Sequence, residues 1–211
     1  MKKNIPIFII ALSFLLGFYF YPKVPELVAT HWGASGQVDG YSPKAFGLFF
    51  MPILLIGLYL LFRFLPSTDP YKKNFKQFEH HFNNFVVIIF IFLFYLFCLT
   101  LIWNSGYQFN MVQFLAPAFA LLFYYTGVLT SVAKRNWFVG IRTPWTMSSD
   151  IVWDKTHAIG GKLFKAVGVI SLAGILFPGS AALLIFLPVI FASIFVFAYS
   201  YYLYQKENHE S

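Results

Sequence analysis

Two groups of residues in this chain have the types and spacing to do chemistry. His31 and Asp39 lie in a segment rich in glycine and proline, with Glu26 as the nearest further acid. They could bind a metal or act as an acid–base pair, but a metal site needs more ligands and an acid–base mechanism needs a third partner. We therefore favour the simpler interpretation, in which both side chains hydrogen-bond within an ordered loop.

The other group lies on a segment that is predicted to be helical. Asp150, Asp154 and His157 are spaced i, i+4 and i+7 and therefore share one helix face. This face could bind a metal or carry an acid–base cluster. Because the spacing alone is a weak signal for either, we favour a salt-bridged helix face in which Lys155 or Arg142 pairs with the carboxylates.

Aromatic residues are frequent in the same segment, residues 133–162. It holds Trp137, Trp145 and Trp153, which indicates an ordered loop because disordered linkers are poor in aromatics. The i, i+4 spacing predicts that Trp153 stacks on His157. Arg142 could bind a phosphate or carboxylate through two hydrogen bonds, hold lipid headgroups or cap a helix, and the sequence does not separate these roles.

Local signals predict how the second group is held. Ser148 or Ser149 is expected to cap a helix, with the carboxylate of Asp150 in its first turn at the positive end of the helix dipole. We expect this helix to continue into the following apolar stretch. Gly160–Gly161 would be its weakest point, since glycine lowers helix stability.

The segment around His31 has turn and loop signals. Pro25–Ala29 is predicted to form a short helix, because proline is favoured at the first helical position. Asp39–Gly40 is a turn signal, and Gly36 supplies a position that tolerates positive φ. Trp32 is most simply an anchor at the membrane surface.

The composition excludes an ordinary soluble domain as the carrier of these groups. Of the 211 residues 59% are hydrophobic and 11% are charged, and the mean hydropathy is +0.68. A soluble domain carries about 25% charged residues, so this chain has too much apolar surface to bury in water. The single cysteine, Cys98, lies in an apolar run, where it is predicted to be a small buried hydrophobe.

Six apolar stretches are each close to the roughly 20 residues that cross a bilayer as a helix. In chain order they are about Ile5–Tyr21, Phe46–Pro66, Asn84–Trp103, Val112–Val132, Leu163–Pro178 and Ala181–Tyr204. The sequence therefore predicts an all-α membrane bundle of six transmembrane helices that forms a single domain over residues 1–211. The first stretch ends in large aromatics where a signal peptide would need small residues, so we expect an uncleaved anchor.

The basic residues predict the orientation of the bundle. Of the 15 Lys and Arg residues, two fall on one side of the six stretches, Lys23 and Lys44. The other 13 fall on the opposite side: Lys2, Lys3, Arg63, Lys72, Lys73, Lys76, Lys134, Arg135, Arg142, Lys155, Lys162, Lys165 and Lys206. The positive-inside rule then places both termini in the cytoplasm, residues 22–45 outside and residues 133–162 inside. This sidedness accounts for the net charge of +7 without nucleic acid.

The acidic residues and the remaining histidines also lie outside the apolar stretches. No Asp or Glu falls within the six stretches, which counts against an ion-coupled transporter because such proteins usually need a carboxylate at membrane depth. Residues 67–83 are predicted to be a basic inner loop that follows the positive-inside rule. Contact with anionic lipid, and a zinc site at His80 and His81, are the alternatives for this loop.

Both long segments resemble the SdpI-type immunity proteins, a family of bacterial multi-span membrane proteins. The outer segment resembles the N-terminal module, here residues 1–66, at Pro22, Pro25, Thr30-His31-Trp32, Gly36, Asp39-Gly40-Tyr41 and Lys44. The inner segment resembles the C-terminal module, here residues 84–204, at Asn136, Gly140-Ile141-Arg142-Thr143, Trp145-Thr146, Val152-Trp153, Thr156-His157 and Gly160. The resemblance covers roughly residues 20–176, and the second motif is the longer and more specific.

The resemblance implies a multi-pass protein of the bacterial cell membrane that gives resistance to a secreted antimicrobial toxin peptide. It implies neither enzymatic activity nor a cofactor, metal or direct nucleic-acid contact. In the best-known member it also implies signalling, in which the toxin-engaged protein holds an ArsR-like repressor at the membrane. The candidate toxin-side residues are His31, Trp32, Gly36, Asp39 and Lys44. The candidate structural or partner residues of the inner segment are Asn136, Gly140, Arg142, Thr143, Trp145, Trp153 and His157.

Three other functions stay open at this point. A small-solute or peptide transporter is the first alternative, although the missing carboxylates count against it. A membrane enzyme would use His31 with Asp39, or the carboxylates and His157 of the inner segment. A sensor that only recruits a cytoplasmic regulator would depend on residues 133–162.

Overall fold

The structure, a computed structural model, describes residues 4–210 apart from the side chain of Glu210, so Lys2 and Lys3 of the basic face lie outside the described residues. Seven α-helices and one two-stranded sheet make up this range. In chain order they are α1 (Asn4–Phe20), β1 (Leu27–Trp32), β2 (Val38–Pro43), α2 (Lys44–Thr68), α3 (Lys72–Asn104), α4 (Met111–Val132), α5 (Pro144–Ser148), α6 (Asp150–Leu172) and α7 (Ala181–Glu210). Short 3₁₀ turns at Ala173–Ile175 and Pro178–Ser180 join α6 to α7.

The described helices fit a membrane-spanning bundle. Five are long and apolar enough to cross a membrane: α2, α3, α4, α6 with the turn after it, and α7 with the turn before it. Helix α1 is as apolar but shorter, with 17 residues. The predicted helical membrane architecture is therefore confirmed. Four of the apolar stretches match a helix closely, whereas α3 and α6 begin about a dozen residues before the stretches predicted for them.

The structure of residues 22–45 differs from the local prediction for this segment. The short helix predicted at Pro25–Ala29 is wrong, because the chain forms strand β1 there, antiparallel to β2. Val28 lies opposite Ser42, and the side chain of Val28 is buried against α2 and α3. The strand is favoured here because it pairs the backbone N–H and C=O groups of this segment with those of β2. A one-turn helix would leave most of these groups without hydrogen-bond partners.

The turn of this hairpin also differs from the prediction. Asp39–Gly40 lies within β2, opposite His31, and is not a turn. The chain reverses instead at residues 33–37, where Gly36 has a φ of 78°. Glycine suits this position because a Cβ atom is strained at positive φ.

The basic segment is helical and is not the loop predicted at residues 67–83. Helix α3 begins at Lys72 and extends well before the apolar stretch. Phe75, Phe78 and Phe82 share one face of its first three turns and are buried against α4 and α6. The charged residues between them lie on the exposed face, so an amphipathic pattern extends the helix beyond the membrane-spanning part.

Helices α4 and α6 cross in close contact at glycines. Ser149 caps α6, as predicted, by accepting a hydrogen bond from the Val152 N–H. The helix then continues through Gly160–Gly161 without a break. A Cβ atom on Gly161 would lie 2.9 Å from the carbonyl oxygen of Gly127, and one on Gly168 would lie 2.6 Å from the backbone nitrogen of Tyr124. The missing side chains allow the two backbones to approach, as small residues do at membrane helix contacts.

We expect Gly168→Ala to destabilise the protein and Gly57→Ala to leave its stability unchanged or slightly raised. The methyl group at Gly168 meets backbone atoms of α4 that cannot move aside, whereas Gly57 has open space around it. Overpacking of this kind costs about 1–3 kcal/mol, while alanine in an exposed helix is neutral or favourable by up to about 1 kcal/mol. Thermal unfolding of the two purified variants in detergent measures this difference, and equal unfolding temperatures would contradict a close α4–α6 contact.

Candidate functional site

An asparagine at the end of α3 holds the outer hairpin to the bundle. The Asn104 side chain donates from Nδ2 to the Ala29 carbonyl at 3.0 Å and accepts the Ala29 N–H at Oδ1 at 2.7 Å. Both backbone groups of Ala29 are thus paired by one amide. Ala29 itself is fully buried, so these hydrogen bonds form away from bulk water, where an unpaired backbone group would be costly.

A second asparagine, Asn110, holds the tip of the hairpin to the start of α4. Its Nδ2 donates to the Ser35 carbonyl at 2.9 Å, and its Oδ1 accepts from the Gln113 N–H as the cap of α4. The Met111 N–H donates to the Gly36 carbonyl at 3.3 Å. A Cβ atom on Gly36 would lie 2.0 Å from the Asn110 side chain, so only glycine allows this approach.

The polar residues predicted for the outer site form two pairs, an exposed one on the hairpin and one at its base in which Lys44 is largely covered. His31 Nδ1 lies 2.5 Å from Asp39 Oδ1, and Lys44 Nζ lies 2.7 Å from Glu26 Oε1. The favoured interpretation, hydrogen bonding of His31 and Asp39 within an ordered segment, agrees with this geometry. Among the described residues no group of three His, Cys, Asp or Glu side chains is placed to hold a metal ion.

A cavity of about 680 Å³ lies beneath the hairpin. Its walls come from the hairpin, α2, α3, α4 and α7, and they are mostly apolar: Thr30, His31, Trp32, Gly33, Ala34, Phe46, Gly47, Phe50, Met51, Leu96, Phe97, Thr100, Met111, Val112, Leu115, Phe119 and Phe186. Trp32 packs edge-on against Trp103, with ring centroids 5.8 Å apart. The Trp32 Nε1 atom is buried and has no hydrogen-bond partner in the part of the chain that the structure describes. It is therefore a free donor on an apolar wall.

At the other end of the bundle, Asn136 organises the loop between α4 and α5. Its Nδ2 donates to the carbonyls of Lys134 and Val139, both at 2.8 Å. Its Oδ1 accepts the N–H groups of Phe138 at 2.9 Å and Val139 at 2.7 Å. The buried amide thus makes four hydrogen bonds, which is its full capacity.

Asp69 links this loop to the junction between α2 and α3. The carboxylate is fully buried, and it accepts the Trp137 N–H at 3.1 Å and the Tyr71 N–H at 2.7 Å. From α3, the Asn74 amide donates to the Arg135 carbonyl at 2.9 Å. The two halves of the chain are therefore joined here by side-chain to backbone hydrogen bonds.

The carboxylates of α6 form ion pairs, but with partners other than those predicted. Asp150 pairs with Arg135 at 2.9 Å, and Asp154 pairs with Lys134 at 3.2 Å. The prediction that Lys155 or Arg142 pairs with these carboxylates is wrong. The chain leaving α4 passes directly over this face of α6 and places Lys134 and Arg135 there instead. Arg142 instead donates to the Trp137 carbonyl.

His157 is buried beneath the same loop. It stacks on Trp153 as predicted, with centroids 3.9 Å apart and planes at 16°. Nδ1 lies 2.8 Å from the Trp153 carbonyl oxygen and Nε2 accepts the Ile141 N–H at 3.0 Å, so the ring is a neutral Nδ1–H tautomer. Gly140 has a φ of 114°, and a Cβ atom there would lie 2.4 Å from Nε2.

The remaining motif residues attach α5 to the bundle. Thr143 and Thr146 form a reciprocal capping box, and the Thr143 hydroxyl lies 3.0 Å from that of Ser200 on α7. Trp145 packs against Phe197 and Tyr201, with centroids 5.1 and 5.0 Å away. The loop, α5, α6 and α7 thus form one packed unit.

The predicted inner residues come together, whereas the metal and acid–base interpretations find no support in their geometry. His157 uses both nitrogens in backbone hydrogen bonds, and the two α6 carboxylates are paired with cations. The anchors Asn104, Asn110 and Asp69 were not predicted. The signal for the asparagines was available, because each lies where a long apolar run meets a short polar segment.

The fold defines a polytopic helical membrane protein with a structured hairpin at one end of the bundle and a packed loop at the other. A family model described as "Domain of unknown function (DUF1648)" matches residues 8–56, and one described as "SdpI/YfhL protein family" matches residues 132–200. The chain is 27% identical over 210 residues to "Immunity protein SdpI" of Bacillus subtilis (strain 168), with 99% of each chain covered. No solved structure matches.

These matches confirm the resemblance to the SdpI-type family that the two sequence motifs indicated. Together with the long apolar helices they identify a multi-pass bacterial membrane protein. The two matched segments contain the outer hairpin and the inner loop, respectively.

We expect Asn136→Ala to lower the free energy of unfolding by about 2–6 kcal/mol, because it removes four partly buried hydrogen bonds, each with a net contribution of about 0.5–1.5 kcal/mol. Asn136→Asp should not restore the loss, since a carboxylate cannot donate to the Lys134 and Val139 carbonyls. Gln77→Ala on the exposed face of α3 is the control, with an expected change within about 0.5 kcal/mol. Unfolding in detergent followed by circular dichroism measures all three, and an unchanged Asn136→Ala protein would contradict the structural role.

Proposed function

We propose that this protein is a membrane immunity protein that gives resistance to a secreted antimicrobial toxin peptide. The observation that carries the proposal is its similarity to an immunity protein over 99% of both chains. In this proposal the chain crosses the membrane six times and both termini are cytoplasmic, in keeping with the 13 Lys and Arg residues on one side against two on the other. The hairpin then faces outward, where a secreted peptide arrives.

The cavity beneath the hairpin is the proposed toxin site. A volume of about 680 Å³ is enough for several apolar side chains but not for a whole peptide. The apolar face of an amphipathic toxin helix would insert side chains here, as helices do in hydrophobic grooves. Trp32 Nε1 would donate a hydrogen bond to a polar group of the peptide, and the pair of His31 and Asp39 would contact its polar face at the entrance.

Expression in a toxin-sensitive strain tests both the function and the site. We expect the wild-type chain to raise survival in the presence of its cognate peptide. Ala34→Trp, which places a large side chain at the wall of the cavity, should raise toxin sensitivity at least about tenfold, the effect of losing about 1.4 kcal/mol of binding. Growth at graded toxin concentrations measures this change.

Ser35→Trp is the matched control for this experiment. Ser35 is the next residue of the same exposed turn, but its side chain does not line the cavity, and the Asn110 bond uses only its backbone carbonyl. The control should therefore protect like the wild type, at equal membrane levels of the three proteins. No gain in survival with any candidate peptide would contradict the function, whereas equal protection by both tryptophan variants would contradict the site.

We also propose that the inner loop recruits a cytoplasmic repressor of the ArsR type. One observation favours this role: Trp137 is 53% exposed, although Asp69 accepts its backbone N–H and Asn136 accepts that of Phe138. The exposed Arg142 side chain lies beside it, held by the Trp137 carbonyl. Tryptophan and arginine are both enriched at binding hot spots.

Trp137→Ala should separate this recruitment from immunity. We expect a fluorescently tagged repressor to leave the membrane in cells that express Trp137→Ala, because the exposed indole is lost while the loop backbone keeps its partners. Toxin survival should remain at the wild-type level, since the outer cavity is untouched. Tyr107→Ala, an exposed aromatic of the short segment between α3 and α4, is the control. A repressor that stays at the membrane with Trp137→Ala would contradict the recruitment site.

A further inference from the structure

A second cavity, of about 800 Å³, lies at the end of the bundle opposite the hairpin. It is an open cavity lined by the start of α1, the end of α2 and residues 72–87 of α3. None of the motif residues lines it, and it is separate from the proposed toxin and repressor sites. The role of this cavity is therefore independent of those two sites.

Three cations converge on this cavity. Arg63 comes from α2, and Lys72 and Lys76 come from successive turns of α3. Glu79 is the one acid among the described lining residues, which leaves an excess of positive charge. Within residues 4–210 none of these three cations forms an ion pair. Three other basic residues, Lys44, Lys134 and Arg135, each pair with a carboxylate. The polar end of the cavity thus has unused capacity for an anion.

The deeper part of the cavity is apolar. Val86 and Val87 on α3, and Phe62 and Tyr59 on α2, line it below the cations. Since a helix rises 1.5 Å per residue, Lys72 and Val87 are roughly 22 Å apart along α3. The cavity therefore runs from a cationic end at the helix termini to an apolar end within the membrane-spanning part of the bundle.

We propose that this cavity binds one anionic phospholipid. The phosphate would be bound by Arg63, Lys72 and Lys76, where arginine can offer two parallel N–H groups to the phosphate oxygens. One acyl chain would lie along α3 as far as Val87. Basic pockets between transmembrane helices recognise lipid headgroups in this way.

The shape of the cavity favours a lipid over a soluble phosphate compound. Inorganic phosphate would use the cations but would leave the apolar end filled with water or empty. An acidic peptide would also use only the cationic end. A phospholipid uses both ends, and the bilayer supplies it at the depth where the cations lie, because a basic helix end near the membrane surface attracts anionic headgroups.

Lipid binding to the purified full chain in detergent tests this proposal. Native mass spectrometry would compare phosphatidylglycerol with phosphatidylcholine of the same acyl chains. We expect phosphatidylglycerol to bind at least about tenfold more tightly, given roughly 1 kcal/mol for each basic residue near the headgroup. The triple variant Arg63→Gln, Lys72→Gln, Lys76→Gln should remove that preference.

Two further variants keep the test specific. Lys73→Gln, Lys155→Gln, Lys162→Gln removes the same charge from exposed positions that do not line the cavity, and it should keep the preference for phosphatidylglycerol. Val87→Trp fills the apolar end, and it should weaken phosphatidylglycerol binding without removing a cation. Thermal unfolding of each variant establishes that it is folded before the lipid data are compared.

Several results would overturn the proposal. Equal loss of the preference in both triple variants would mean that total charge, and not this cavity, selects the lipid. Binding of inorganic phosphate that competes with phosphatidylglycerol, together with full lipid binding by Val87→Trp, would assign the site to a soluble phosphate. Displacement of the lipid by a soluble oligoglutamate, with full lipid binding by Val87→Trp, would assign it to an acidic peptide.

Discussion

The close crossing of α4 and α6 is the contact on which the half of the molecule that carries the α4–α5 loop depends. Gly127 and Gly161 bring the two backbones together without intervening side chains. As a result the carbonyl of Ala133, just after α4, lies 2.8 Å from Trp153 Nε1 on α6. That hydrogen bond fixes where the chain leaves α4, so the loop must pass over the α6 face that carries the two carboxylates and the buried histidine.

At both ends of the bundle, side chains form hydrogen bonds with backbone groups that lie outside the helices. Such groups need partners because unpaired polar groups are costly next to a membrane. At the outer end Asn104 pairs both groups of Ala29. At the inner end Asn136 makes four hydrogen bonds within its own loop, and Asp69 ties that loop to the α2–α3 junction. Amide side chains suit this role because they donate and accept without bringing a charge.

The sequence predicted the helices well, because an apolar stretch long enough to span a bilayer is a strong signal over some 20 residues. It failed at the short elements. The strand at Leu27–Trp32 depends on pairing with Val38–Pro43 and on Asn104, which is far away in the chain. The partners of Asp150 and Asp154 depend on the α4–α6 crossing, and no local pattern gives the position of Lys134 and Arg135 over that helix face.

The buried motif residues stabilise the fold and are not available to bind a partner. Three motif residues are buried, and their polar atoms form hydrogen bonds within the chain: Asn136, Thr143 and His157. A binding partner cannot reach these atoms without disrupting the loop. In the proposed function, recognition uses groups that the packing leaves without a partner in the described residues or exposed, such as the buried Trp32 donor and the Trp137 ring at opposite ends of the bundle. The same rigid framework can therefore present different contact surfaces when only such available residues change.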